Sequence, residues 1–281
     1  MRVITSNMFH GADNPEIETG IEVLRNENAL PKVDKNIVTI TSPEDTSRDN
    51  MKYYEDIVNH LKEIYQVYLD DETKQKEILI GGDHSIALAS VAHSLEQHHN
   101  LGVIWVDAHA DINTHEITNS GNVHGMPVAA LIGLGDKGLV DFTPRTKYLL
   151  PENIIYIGLR DVEPEEQAVL DDLEIKHYTA DDVRTLGIEQ VMNDSISYLK
   201  DKKVSNLHIS YDIDSADPSI APGVTTNVPD GLTLQETQHI FRELHESFNV
   251  VAIDVVEFNP VTDIDNTTVE FFKTLMPDVL R

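Results

Sequence analysis

The sequence predicts an α/β fold with a mostly parallel sheet. Two features carry that expectation. Short apolar runs recur along the chain without clean period-two alternation, and helical patterns fill the intervals between them. Runs apolar on both faces suit parallel strands covered by helices on each side. The 281 residues include 49 acids against 21 Lys+Arg, a formal net charge of −28. Even so, 40% of the chain is hydrophobic, which supplies a substantial core and argues against disorder.

Taken in order, Met1-Arg2-Val3-Ile4-Thr5 begins like a strand and shows no signal-peptide pattern. Ile57, Val58, Leu61, Ile64, Tyr65 and Tyr68 repeat at 3.6-residue spacing, which predicts an amphipathic helix over 49–69. Ile78-Leu79-Ile80 runs into Gly81-Gly82, and an apolar-rich helical stretch follows over 85–95. Residues 101–106, 154–159, 207–211 and 250–256 read as buried strands. A helix is expected over 187–199, and Thr233 with Glu236 makes a capping box for another reaching about Phe248. No repeat, low-complexity block or Pro/Gly-rich linker divides the chain, so 1–281 is expected to form a single domain.

Composition also narrows function. So acidic a surface repels phosphate backbones and anionic lipid, which disfavours nucleic acid and membranes as partners. No apolar run reaches the roughly 18–20 residues that span a bilayer. With no cysteine there is neither a disulfide framework nor a thiolate ligand or nucleophile. A soluble, cytoplasmic protein is expected.

The informative pattern is how the apolar runs end. One ends in Gly81-Gly82-Asp83-His84, another in Asp107-Ala108-His109-Ala110-Asp111, a third in Asp212-Ile213-Asp214-Ser215-Ala216-Asp217, and a fourth in Glu257. In open α/β sheets ligands bind beyond the carboxyl ends of the strands, so these clusters should meet on one rim. Four or more carboxylates there must protonate, splay or bind metal. Two histidines and at least four aspartates form a hard, sulfur-free donor set that suits Mn²⁺ or a similar octahedral ion better than structural zinc. Six donors suit two ions that share bridging carboxylates. His98 and His99 are expected to be solvated, and His93, His208, His239 and His245 to serve packing or solvent.

GGDHS (81–85), DAHADIN (107–113), SGNVHG (120–125), SYDIDSADPSIAPG (210–223) and EFNP (257–260) occur in the order and spacing of the ureohydrolases. Over about 75–260 the chain resembles that family, and within it the arginases. The resemblance implies a three-layer α/β/α sandwich with a mainly parallel sheet of about eight strands. It implies two Mn²⁺ per subunit: His84, Asp107, Asp111 and Asp212 would hold one, and Asp107, His109, Asp212 and Asp214 the other. Asp107 and Asp212 would bridge. The activity implied is attack of a metal-bridging hydroxide on the guanidinium of L-arginine, giving L-ornithine and urea. Agmatinase or another guanidino-acid ureohydrolase is the alternative. A homotrimer or homohexamer is also implied.

Further roles follow from the resemblance. Glu257 would pair with the planar guanidinium as a carboxylate fork, Asp111 would pass a proton to the leaving amine, and His124 would shuttle protons. Asp217 would support the loop bearing Asp212 and Asp214 and bind no metal. Asn113, Thr118, Ser120 and Asn122 lie in the loop that would recognise the α-carboxylate, and Thr226 aligns with a pocket threonine. Some positions depart from the family. Glu163, with Glu166 nearby, replaces the usual aspartate at the α-amino group. The segment 225–231 replaces a Gly-rich run, and 9–15 differs from the family's opening.

Overall fold

The computed structural model describes residues 1–70 and 75–281. Its centre is an eight-stranded sheet of β1 (Arg2–Ser6), β2 (Lys35–Ile37), β3 (Glu77–Ile80), β4 (Gly102–Val106), β5 (Ile154–Leu159), β6 (Lys176–Thr179), β7 (Asn206–Asp212) and β8 (Asn249–Val256). The strand order is β2-β1-β3-β8-β7-β4-β5-β6, and every pairing is parallel.

Successive strand residues point to opposite faces, and both faces are apolar. Ile4, Leu79, Val103 and Trp105 join one buried cluster with the helices Tyr54–Leu69 and Ala87–Gln97. Val3, Ile78, Ile80, Ile104 and Val106 join a second with Ile188–Asp201, Leu234–Ser247 and Thr267–Val279. Two cores on one sheet make the three-layer α/β/α sandwich, and they explain why the strands showed no alternation.

The element boundaries differ from expectation in instructive places. The helix expected over 49–69 begins only at Tyr54, because Asp49, Asn50 and Tyr53 take left-handed φ values of 45°, 69° and 51°. That bend carries Lys52 N–H to the carbonyl of Gly121, so tertiary contact overrides helical pattern. The helix expected from 85 starts at Ala87 behind a 3₁₀ turn, His84–Ile86. The helix expected over 187–199 runs Ile188–Asp201, and the Thr233–Glu236 capping box is present. The edge strands β2 and β6 escaped detection: each is short, polar and paired on one side only, so its sequence carries little apolar signal.

Candidate active site

Four strands adjacent at the centre of the sheet, β3-β8-β7-β4, end on the same rim and deliver the site. After β3, Gly81 and Gly82 adopt φ of 88° and 79°. A Cβ at Gly81 would overlap the Ile21 side chain and the Ser6 carbonyl, so the turn requires glycine. Asp83 then accepts hydrogen bonds from Ser85 and from Gly11 N–H, which holds the His84 turn in place.

The His84 ring stacks on Trp105 with centroids 4.2 Å apart. Its Nε2 lies 2.9 Å from Ser210 Oγ. Its Nδ1 lies 2.9 Å from Asp107, 3.0 Å from Asp111 and 3.2 Å from Asp212, all carboxylate oxygens. Despite that proximity, Nδ1 and Asp111 Oδ2 are buried without a hydrogen-bond partner: the groups face a common point rather than each other. A divalent cation at that point would satisfy these donors together.

A second group overlaps the first through Asp107. His109 Nδ1 lies 3.0 Å from Asp214 and 3.5 Å from Asp107. Backbone donors orient these carboxylates: Asp107 accepts from His109 N–H, Asp212 from Asp214 N–H, and Asp214 from Ala108 N–H. The donor atoms of His84, Asp107 and Asp111, and those of Asp107, His109 and Asp214, each lie within 4.8 Å of one another. Burial and then mutual repulsion raise the carboxyls of Asp212, Asp214 and Asp111, the last to about 6. Burial opposes charge on His84 and His109, but the aspartates facing them outweigh it and raise both imidazoles. Two imidazoles and four acids in this packing fit divalent-cation binding.

Glu257, at the end of β8, has a left-handed φ of 68°, and Asp111 has 49°. Such backbone strain in long or acidic side chains concentrates at working sites. Glu257 Oε1 accepts from His84 N–H at 2.8 Å and lies 3.0 Å from His124 Nδ1. Oε1 therefore already takes two partners within the protein. For His124, burial opposes the charge, but Glu257, Asp111 and Asp83 outweigh it and push the imidazole up to about 9.

Above these groups opens a cavity of about 180 Å³, lined by His109, Asp111, Asn113, Thr118, Ser120, Asn122, His124, Glu163, Glu166, Asp212, Asp214, Thr226 and Glu257. Every expected pocket residue is on that wall, while His84 and Asp107 are buried beneath it. Glu163 has a second engagement: its carboxylate accepts 3.2 Å hydrogen bonds from Asn113 Nδ2 and Asn119 Nδ2, which ties it to the polar loop. Glu166 accepts from Ile112 N–H and Glu163 N–H, and burial followed by the Asp111 charge pushes it up to about 7. Asp217 accepts from Ser219 N–H and Gly231 N–H, as a loop support should. His208, expected to pack, is buried with Nε2 2.9 Å from Asp254.

One wall residue went unassigned in the sequence. Asp161 lines the cavity, with its carboxylate 3.6 Å from His109 Nε2. The signal was available: Arg160-Asp161 directly follows β5 and so obeys the same strand-exit rule as the other clusters.

A parallel sheet whose rim gathers imidazoles and carboxylates beneath a polar cleft defines a hydrolase of the α/β/α class with a candidate metal centre. Sequence and structure comparisons narrow that class. The profile of the Arginase family matches residues 11–280, and the chain belongs to that family. It is 38% identical to an arginase of Staphylococcus aureus over 226 residues, 80% of this chain and 74% of the relative. With human Arginase-1 the identity is 42% over 187 residues, 65% of this chain and 58% of that one. The arginase of Bacillus caldovelox superposes with a TM-score of 0.91 at 29% identity, covering 99% of this chain and 97% of that chain. The arginase of Entamoeba histolytica, solved in complex with L-ornithine, superposes at 0.88 and 28%, with the same coverage.

Proposed function

We propose that the chain hydrolyses the guanidinium of L-arginine to L-ornithine and urea, using two Mn²⁺ held by His84, Asp107, Asp111, His109, Asp212 and Asp214. The observation that carries this is the pair of overlapping donor groups, with the orphaned His84 Nδ1 and Asp111 Oδ2, at the floor of a polar cleft. Bound there, the two ions would supply Lewis acidity that lets water ionise near neutral pH.

The chain's own residues do the rest. Glu257 takes a guanidinium N–H and turns the carbon toward the donor groups. Water adds to that carbon, and the Asp111 carboxylate, through the oxygen not given to the donor group, takes the proton released. The C–N bond to the side-chain nitrogen then breaks, the departing amine receives that proton and the hydroxyl proton left on the carbon, and urea and an ammonium are the products. His124, beside Glu257, relays protons to the amine.

At the outer end, Asn113, Thr118, Ser120 and Asn122 offer neutral donors for an α-carboxylate, while Glu163 and Glu166 offer charge for an α-ammonium. Thr226 closes the opposite wall. Agmatine has no carboxylate to satisfy the first set, so arginine is preferred. The 281 residues act as one domain, cytoplasmic and assembled as a homotrimer or homohexamer. Among the described residues no helix is long and apolar enough to cross a membrane.

The test is urea release from arginine, agmatine and guanidinobutyrate by manganese-loaded protein. Release from arginine alone is expected. Release from agmatine but not from arginine would transfer the substrate assignment.

A further inference from the structure

We infer that Arg160 is a positioning residue that holds one half of the donor set, the Asp107–His109–Asp214 group, in register. The inference rests on the two-ion reading above. Arg160 stands one residue beyond β5, and among the described residues its guanidinium donates to backbone carbonyls alone. Nη2 reaches Asp214 at 2.6 Å, Val228 at 2.8 Å and Ala216 at 3.3 Å. Nη1 reaches Ser215 at 3.2 Å and Gly158 at 3.3 Å, and Nε reaches Val228 and Pro229, both at 3.2 Å.

In a chain of net charge −28, this guanidinium lies near Asp214, Asp107, Asp217 and Asp212 yet makes no ion pair among the described residues. Arginine's preferred partner is a carboxylate fork, and surface acids are abundant. Apart from Gly158 in its own strand, the carbonyls it chose belong to two segments. One, 214–216, presents Asp214. The other, 228–229, follows Thr226 on the cavity wall. Arg160 also donates its backbone N–H to the carbonyl of Ala108 at 2.9 Å, between Asp107 and His109. A single residue therefore touches the backbone beside three of the donors in one group. It makes none of these contacts to Asp111, whose carbonyl takes Val128 N–H, or to His84, whose placement comes from the Gly81-Gly82 turn, Trp105 and Ser210.

A planar five-donor head can tie carbonyls from several directions at once, and a point ammonium cannot. Arg160→Lys keeps the charge and removes the span. It should let the 214–216 loop drift while the His84 side stays in place. Supporting residues of this type change metal affinity by about 10–100-fold.

The experiment is stepwise Mn²⁺ binding, by calorimetry and by metal analysis after gel filtration, on wild type, R160K and R160Q, with thermal melts of each metal-free protein. Two ions bound by wild type, with one weakened about 10–100-fold in R160K and the other retained, support the inference. Combining R160K with His109→Ala should then add little further loss, whereas combining it with His84→Ala should add its full effect. Equal weakening of both ions, unchanged affinity for both, or loss of the folded state in both variants overturns the role assigned to Arg160. Fewer than two ions on wild type overturns the two-ion reading itself, and this inference with it.

Discussion

The floor of the cleft and its mouth are built by different means. At the floor, Asp107, Asp212 and Asp214 are each aimed by a backbone N–H within or beside their own strand exit, and all are buried. At the mouth, Asn113, Asn119 and Asn122 are tied through their side chains to groups from distant segments: the Glu163 carboxylate, the Ala12 carbonyl and the Lys52 ammonium. Backbone donors at strand ends cost little entropy to position, because the sheet has already ordered them. Side-chain ties between loops must order both partners. The contrast implies that changes at the floor remove chemistry, and changes at the mouth alter selection.

The largest effect should come from Asp107→Ala, since Asp107 belongs to both donor groups. Metal binding and urea release should both fall by far more than the roughly 100-fold typical of a supporting residue. Full activity with two bound ions would break the floor's assignment. Next is His124→Asn, which should lower kcat by about 10²-fold or more while both ions stay bound. Metal loss in that variant would make His124 part of the floor rather than a proton donor above it.

Smaller effects belong to the mouth. Ser120→Ala should raise KM for arginine by about 10-fold, the worth of one hydrogen bond to a charged group, and leave agmatine kinetics unchanged. A change in kcat with constant KM would erase the distinction between the two regions.

The gentlest probe is pH. In metal-free protein the folded-state values of His124, at about 9, and Glu166, at about 7, lie above their ordinary ones. Groups raised by folding add stability below their unfolded pKa and lose it as pH rises through the folded pKa. The melting temperature with chelator should therefore fall between pH 7 and 9, by a few degrees. Saturating Mn²⁺ should flatten or reverse that slope. A chelated protein that grows more stable over that window would show that charge crowding at the floor is not what the metals relieve.

Much of this was legible before any fold was known. A strand exit is a local object: an apolar run, a turn residue and polar side chains at fixed covalent spacing. For that reason His84, Asp107, His109, Asp111, Asp212, Asp214 and Glu257 could be named, and the central strands located nearly to the residue. The edge strands β2 and β6 were invisible because their side chains meet solvent on the open side. The start of the helix at Tyr54 was misplaced because a contact with distant Gly121 sets it.

The residue types and their spacing along the chain settled which donors, and hence which chemistry, this protein has. Only the tertiary structure decided that β3, β8, β7 and β4 lie side by side, that Glu257 Oε1 takes two partners within the protein, and that Glu163 is tied to Asn113 and Asn119. It alone revealed the carbonyls gathered by Arg160. The reason is physical: a side chain's chemistry is written in its residue type, whereas every residue has a carbonyl, and which carbonyls converge is a property of chain path.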